Sequence, residues 1–298
     1  MSEQPFVAAE IASQPDCWER AHELAAEVAR QLPRPGERVA MEGCGSSLFM
    51  GMAYSSLREG SRHGLTDAFA ASEFPMTREY DRVVAITRSG TTTEILDVLE
   101  RLRGTVATLA ITGDASSPVA DYADDIVELG FADEESVVQT RFATTTLALL
   151  RSSLGQDVSL LANDARSVVA CELDPALVEA DQLTFLGRSW TTGLAHEAAL
   201  KLRESAGAWT ESYSAMEYRH GPIAIAQPGR VTWMFGVAPV GLAEQISATG
   251  ARFVSSNGLD PMVDLITAQR VALAQALARN LDPDKPRNLS RAVVLDPM

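Results

Sequence analysis

Two apolar rhythms alternate along the chain. Short runs at 38–41, 83–86, 106–111 and 125–129 have the length and composition of buried strands. Between them, apolar residues recur every third or fourth position, as on one face of a helix. Ile95, Leu96, Leu99 and Leu102 mark one such helix. Others follow Gly43-Cys44-Gly45-Ser46-Ser47, running through Leu57, and occupy 144–154. The second half repeats the rhythm. A run at 183–186 turns at Gly187-Arg188-Ser189 into a helix striped by Leu194, Ala198 and Leu202. Runs at 231–237 and 251–254 follow, and then an amphipathic helix over 263–279 that includes Ile266, Val271, Leu273 and Leu277. The halves share an order of elements and no sequence identity.

Strand–helix alternation predicts an α/β fold with parallel sheets. The predicted divisions are a helical segment over 1–35 that wraps the partner lobe, a first domain over 36–165 and a second over 175–298. The linker between them is expected within 155–180, because the acidic stretch 156–181 offers few strong patterns.

Composition narrows the class. A chain of 298 residues suits one large domain or two of about 150 each. The N-terminal stretch has no long apolar run, and no stretch is apolar enough to span a bilayer. Neither a signal peptide nor a membrane partner is expected. Cys17, Cys44 and Cys171 form no metal-ligand pattern, and a reducing cytoplasm is the expected setting. None of His22, His63, His196 and His220 has a zinc-site spacing, so no metal is expected. No dinucleotide or Walker-type motif appears, so no cofactor is expected. The net charge of −15 argues against nucleic acid. It also means that an anionic ligand must be held locally, by backbone N–H groups at a helix N-terminus.

Three segments can carry chemistry. Glu197, Lys201 and Glu204 stand at i, i+4 and i+7 on one helix face. Such a row reads either as solvated ion pairs or as a proton acceptor beside the cation that tunes it. Thr87, Ser89, Thr91 and Thr92 surround Gly90 between a strand and a helix. One hydroxyl suffices for a helix cap, and this surplus reads as an anion site. His220, before Gly221-Pro222, reads on its own as a turn residue. Glu94 and Asp97 read as solvated charges in a helix's first turn.

Five segments in order resemble the sugar isomerase (SIS) family, and the isomerase domain of glucosamine-6-phosphate synthase within it. Glu197, Lys201, Glu204 and His220-Gly221-Pro222 are similar to its E-x-x-x-K-x-x-E helix and H-G-P loop. Cys44-Gly45-Ser46-Ser47 resembles the C-G-T-S turn. Thr87 to Thr92 resembles the S-Q-S-G-E-T phosphate loop. Residues 134–141 are similar, more loosely, to E-x-G-V-A-S-T-K, and 286–291 to the P-R-N-L-A-K tail.

The resemblance implies two SIS lobes, each a flavodoxin-like α/β/α sandwich, acting on a phosphorylated or otherwise anionic sugar. It implies aldose–ketose isomerisation with Glu204 as the proton-transfer base, tuned by Glu197 and Lys201. It implies a homodimer in which His220 opens the sugar ring in the partner's site. Substrate and phosphate would be held at Cys44, Gly45, Ser46, Ser47, Thr87, Arg88, Ser89, Gly90, Thr92, Val137, Ser290 and Arg291.

The departures matter. Arg88 replaces a glutamine, and its guanidinium can clamp an anion or point to solvent, which admits sulfonated sugars. Arg291 replaces the imine-forming lysine, and an arginine stays protonated. The chain begins Met1-Ser2-Glu3 rather than with a cysteine nucleophile, so glutamine-driven amination is not expected. Deamination of an amino-sugar phosphate and deglycation of a fructosamine phosphate stay open, because each can start from the same base. A phosphosugar sensor without catalysis is the alternative of another class. The acidic charge and the absence of a basic DNA-binding helix argue against it.

Overall fold

The computed structural model describes residues 4–256 and 258–295. Residue 257 and the outermost residues of the expected segments 1–35 and 175–298 lie outside the described residues. Two N-terminal helices, α1 (Phe6–Ala12) and α2 (Gln14–Glu27), precede the first sheet. That lobe runs β1 (Val39–Gly43), α3 (Ser46–Gly60), β2 (Thr66–Ala70), β3 (Arg82–Thr87), α4 (Thr93–Leu102), β4 (Ala107–Thr112), β5 (Asp125–Glu128) and α5 (Arg141–Ser153). Helices α6 (Ala162–Ala170) and α7 (Pro175–Val178) lead to the second lobe. It runs β6 (Gln182–Gly187), α8 (Thr191–Ala206), β7 (Thr210–Ser214), β8 (Arg230–Met234), α9 (Leu242–Ser247), β9 (Arg252–Ser255) and α10 (Pro261–Ala278).

Both sheets are wholly parallel, as the strand–helix alternation predicts. Their orders are β2-β1-β3-β4-β5 and β7-β6-β8-β9. β2 matches β7 and β1 matches β6, and in each lobe the chain crosses back to pair β3 or β8 on the other side of that strand. Such crossovers open a crevice at the carboxyl ends of the strands.

Edge strands β2 and β7 were not predicted. Each has one neighbouring strand and stays half-exposed, so its sequence carries polar residues in place of an apolar run. The stretch expected as a patternless linker forms α6 and α7. Ala162, Ala165 and Val168 supply the buried face of α6, and small residues make a weak stripe. The strand expected over 231–237 stops at Met234, because Gly236 turns the chain at φ +81°.

The N-terminal helices bridge the lobes. Trp18 is buried and donates to Thr144 Oγ1 at 3.0 Å. Gln14 donates to Gln269 on α10 at 2.7 Å. Helices α3 and α8 pack against each other between the sheets, close enough that a Cβ on Gly193 would collide with the Phe49 carbonyl. This contact sets the two lobes' functional residues face to face.

Candidate active site

Each lobe turns from its central strand into a helix by the same device. A Cβ on Gly43 would overlap the backbone of Ser47, 2.7 Å away, and one on Gly187 would overlap Thr191. Only glycine lets the strand end lie against the first helical turn. In the first lobe this places Ser46 at the start of α3. The second lobe delivers α8, and the α3–α8 contact brings its Lys201 to Ser46.

Lys201 Nζ donates to Glu204 Oε2 at 2.5 Å and to Ser46 Oγ at 2.9 Å, and it lies 3.5 Å from Glu197 Oε1. The side chains of Glu197 and Lys201 are 0% and 1% exposed, while that of Glu204 is 20% exposed. The solvated-helix reading of this row is therefore set aside. Burial pushes the Glu197 carboxyl up to about 7, with Lys201 opposing and Glu204 assisting the rise. Burial pulls Lys201 downward, but the two carboxylates outweigh it and leave the ammonium above its ordinary value. A near-neutral acid, a fixed cation and a carboxylate open to solvent are thus ordered along one face.

Glu204 opens into a cavity of about 190 Å³. Cys44, Gly45, Ser46, Thr92 and Val137 line it, with Gln139 and the tail over 289–293, which includes Ser290 and Arg291. These sequence candidates meet around one space. In the hydroxyl-rich turn after β3, Thr87 Oγ1 accepts from Gly90 N at 3.2 Å. Ser89 Oγ accepts from Thr91 N at 3.3 Å and from the Thr91 hydroxyl at 3.1 Å. Gly90 sits at φ +63°, where a Cβ would collide with Ser117. Ser47, Thr87, Ser89 and Gly90 lie in the two turns but not on the cavity's lining.

Arg88 turns inward, not to solvent, and its charge faces a carboxylate of the protein itself. Its guanidinium is buried and donates to the carbonyls of Ser136, Val137 and Arg291 at 3.0, 3.1 and 3.3 Å. Glu134 Oε2 lies 3.6 Å away. Burial lowers the Arg88 pKa, and Glu134 opposes that. Arg88 therefore supports the walls of the cavity. Arg291 lines the cavity, and its side chain pairs with Asp133 at 2.5 and 2.7 Å and with the Glu134 carbonyl.

Burial, then Glu94 and Glu42, push the Cys44 thiol up to about 11, away from thiolate character. Glu94, expected to be solvated, is half-buried with one oxygen unpartnered, and Asp97 is exposed. His220 is exposed in a short turn after β7 and does not line the Glu204 cavity.

Glu134 enters the sequence reading only as part of a loosely matched segment, and Glu10 and Asp284 do not enter it as supporting residues. Glu134 Oε1 accepts from Thr140 N at 2.6 Å and Arg141 N at 2.8 Å. Glu10 on α1 accepts from Glu135 N at 2.7 Å and Ser136 N at 3.2 Å. Asp284 accepts from the amides of Phe6 and Val7 at 2.8 Å, while its carbonyl accepts from Val137 N at 2.9 Å. Loop 134–140 is thus pinned from both chain ends. The tail continues over the start of α4, where Val293 O accepts from Thr93 N at 3.2 Å and Thr93 Oγ1 from Leu295 N at 2.9 Å. A larger cavity, about 680 Å³, lies at the second lobe's strand ends beside Arg188 and Trp190. Among the described residues, no group of three or more His, Cys, Asp or Glu side chains could hold a metal ion, and no helix is long and apolar enough to cross a membrane.

No family model matches the chain. It is 29% identical to the glutamine–fructose-6-phosphate aminotransferase (isomerizing) of Symbiobacterium thermophilum, over 87% of this chain and 52% of that protein. It is 26% identical to the same enzyme of Shouchella clausii, over 99% and 58% respectively. The chain spans about half the length of the curated relatives it matches. Among solved structures, glucosamine-6-phosphate deaminase of Thermotoga maritima superposes with a TM-score of 0.84 at 25% identity, covering 97% of this chain and 100% of that one. The C-terminal domain of glucosamine-fructose-6-phosphate aminotransferase of Francisella tularensis gives 0.78 at 20% identity, covering 96% and 99%. That last match speaks for the fold alone. In sequence and in fold, the chain resembles the isomerase domain of glucosamine-6-phosphate synthase and its stand-alone relatives, the sugar isomerase (SIS) family.

Proposed function

We propose that the protein is an enzyme acting on a phosphorylated or otherwise anionic hexose derivative, with Glu204 as the base that moves a proton between adjacent carbons. Aldose–ketose isomerisation is the leading reaction. The observation that carries this reading is the Glu204 carboxylate, open to a cavity that also contains Thr92 and gripped by Lys201 at 2.5 Å. The ammonium engages one oxygen and leaves the other to take a carbon-bound proton. It also lowers the energy of negative charge developing on a neighbouring enediol. Glu197, neutral below about pH 7, leaves Lys201 and Glu204 as a matched pair. The Ser89 and Thr92 hydroxyls and the N-terminus of α4 offer donors to an anion despite the net charge of −15, while Thr91 orients Ser89 by donating to its Oγ.

In this reading His220 serves a partner subunit's site in a homodimer. Its exposure, and its absence from the lining of the Glu204 cavity, support that role. The amino-sugar deaminase and deglycase readings need the same first proton transfer. Their support is the similarity to a glucosamine-6-phosphate deaminase structure at 25% identity. A sensor without catalysis has no use for a buried ammonium between two carboxyls, whose desolvation costs several kcal/mol per ion.

The test is incubation with hexose phosphates, amino-sugar phosphates, fructosyl-amine phosphates and sulfonated hexoses, read for ketose, ammonia and free amine. Tight binding of one of these without turnover of any would replace the enzyme reading with the sensor.

A further inference from the structure

The two lobes are related by an internal two-fold axis that the α3–α8 contact makes visible. The strand-to-helix turns at Gly43–Ser47 and Gly187–Thr191 set the correspondence between the lobes. In that register Phe49 matches Gly193, and these two residues touch each other, as matched residues on an axis must. Gly45 matches Ser189, and Ser56 matches Leu200. A Cβ on Gly45 would lie 3.6 Å from Leu200 Cδ2, and Ser189 Oγ lies 2.7 Å from Ser56 Oγ. The cavity of about 680 Å³ at the second lobe's strand ends is therefore the counterpart of the first lobe's crevice.

The counterpart differs in chemistry. Where α8 carries Glu197, Lys201 and Glu204, α3 has Ala53, Leu57 and Gly60 at the matched positions. The second crevice thus has no proton-transfer row. The turn after β3 carries the hydroxyls of Thr87, Ser89, Thr91 and Thr92, while the turn after β8 reads Phe235-Gly236-Val237-Ala238-Pro239 and carries none. A phosphate finds no matching cradle there.

The lining is apolar around one free charge. Phe235, Val237, Leu259 and Pro261 supply the walls together with Trp190. The Trp190 ring is held by the Arg151 guanidinium, 5.0 Å from its centroid, and Arg151 is itself paired with Asp260 at 2.7 Å. Neighbouring polar groups are spent within the protein. Thr191 Oγ1 accepts from Arg188 N at 2.8 Å and donates to Phe235 O at 3.0 Å. Ser256 Oγ accepts from Gly236 N at 3.0 Å and donates to Asp264 Oδ2 at 2.7 Å. Among the described residues, Arg188 is the one charged residue on the lining, and its exposed side chain has no hydrogen-bond or ion-pair partner.

A guanidinium presents its donors in a fixed fork that a planar carboxylate matches with two parallel bonds. A sugar's hydroxyls would leave water without gaining partners on these walls. An aromatic ring gains the faces and edges of Trp190 and Phe235. The volume is that of a small-molecule site, and the place is a switch point in strand order. We infer that the second crevice is a binding site for an aromatic monocarboxylate, with the carboxylate on Arg188 and the ring against Trp190. It shares no lining residue with the Glu204 cavity. The inference is independent of the role given to Glu204.

The test is calorimetric titration of the full chain with 1-naphthaleneacetate, its neutral amide and glucose 6-phosphate. Naphthaleneacetate should bind once per chain with a Kd of about 1 mM or tighter. The amide should bind roughly tenfold more weakly. Arg188→Gln should bring the two affinities together. Val237→Asp sets a like charge on the wall at a position 87% exposed, where the fold tolerates it, and should weaken the carboxylate by roughly tenfold or more. Glu204→Gln should bind it as the wild type does. Absence of saturable binding, equal affinity for carboxylate and amide, binding untouched by both crevice variants, or displacement by glucose 6-phosphate overturns the inference.

Discussion

Lys201 on the second-lobe helix α8 donates to Ser46 at the start of the first-lobe helix α3, across 2.9 Å and 155 residues of sequence. The cation that grips Glu204 is thereby fixed to the other lobe. Above about pH 7, where Glu197 is ionised, removing the cation leaves that buried carboxylate without a counter-charge. Lys201→Met should destabilise the fold by about 3–5 kcal/mol. Ser46→Ala, which removes one acceptor, should cost about 1–3 kcal/mol. Urea unfolding measures both, and adding Glu197→Gln to Lys201→Met should recover part of the loss. Additive losses with no recovery would mean that the row is not coupled.

Glu197 makes stability depend on pH with a definite sign. Its folded pKa of about 7 lies above its ordinary 4.5, so between these values the folded chain keeps a proton that the unfolded chain releases. Its contribution is full below the lower value and is lost as pH rises through the upper one. Relative to Glu197→Gln, the wild type should lose about 3 kcal/mol across this window and run parallel above it. Denaturant midpoints at several pH values show this difference, and a flat one would place Glu197 among ordinary carboxylates.

Arg88→Gln should act first on stability. It strands the carbonyls of Ser136, Val137 and Arg291, and leaves the buried Glu134 without its cation. A loss of about 3–5 kcal/mol is expected, with Glu134→Gln as partial rescue. A variant of unchanged melting temperature with weakened affinity for every anionic sugar would restore the anion-ligand role.

Composite sites predict complementation. Glu204→Gln chains and His220→Ala chains should each be inactive, and mixed dimers should regain activity at one of their two sites. Subunit exchange proven by mass spectrometry, without recovery, would place both groups in one chain.

The sequence exposed some of this and hid the rest for physical reasons. The i, i+4, i+7 spacing sets Glu197, Lys201 and Glu204 on one face whatever surrounds them. Whether that face meets water depends on α3, which packs on it from far along the chain. The hydroxyl-rich turn after β3 is local and could be read locally. Arg88 could not, because its partners lie 48, 49 and 203 residues away. Glu10 and Asp284 are ordinary acids until the fold brings α1 and the tail to loop 134–140. The edge strands β2 and β7 carry Thr66, Asp67, Thr210, Glu211 and Ser212 in place of an apolar run.

The central claim is that Glu204 transfers the proton. Glu204→Gln keeps size and hydrogen-bonding capacity and removes the base. On the best substrate found, kcat should fall about 10²–10⁴-fold while substrate still binds with near-normal affinity. Exchange of the transferred proton with deuterated water, followed by NMR, should vanish in parallel. Full turnover and undiminished exchange in the glutamine variant would contradict the account and leave Glu204 as an ion-pair partner of Lys201.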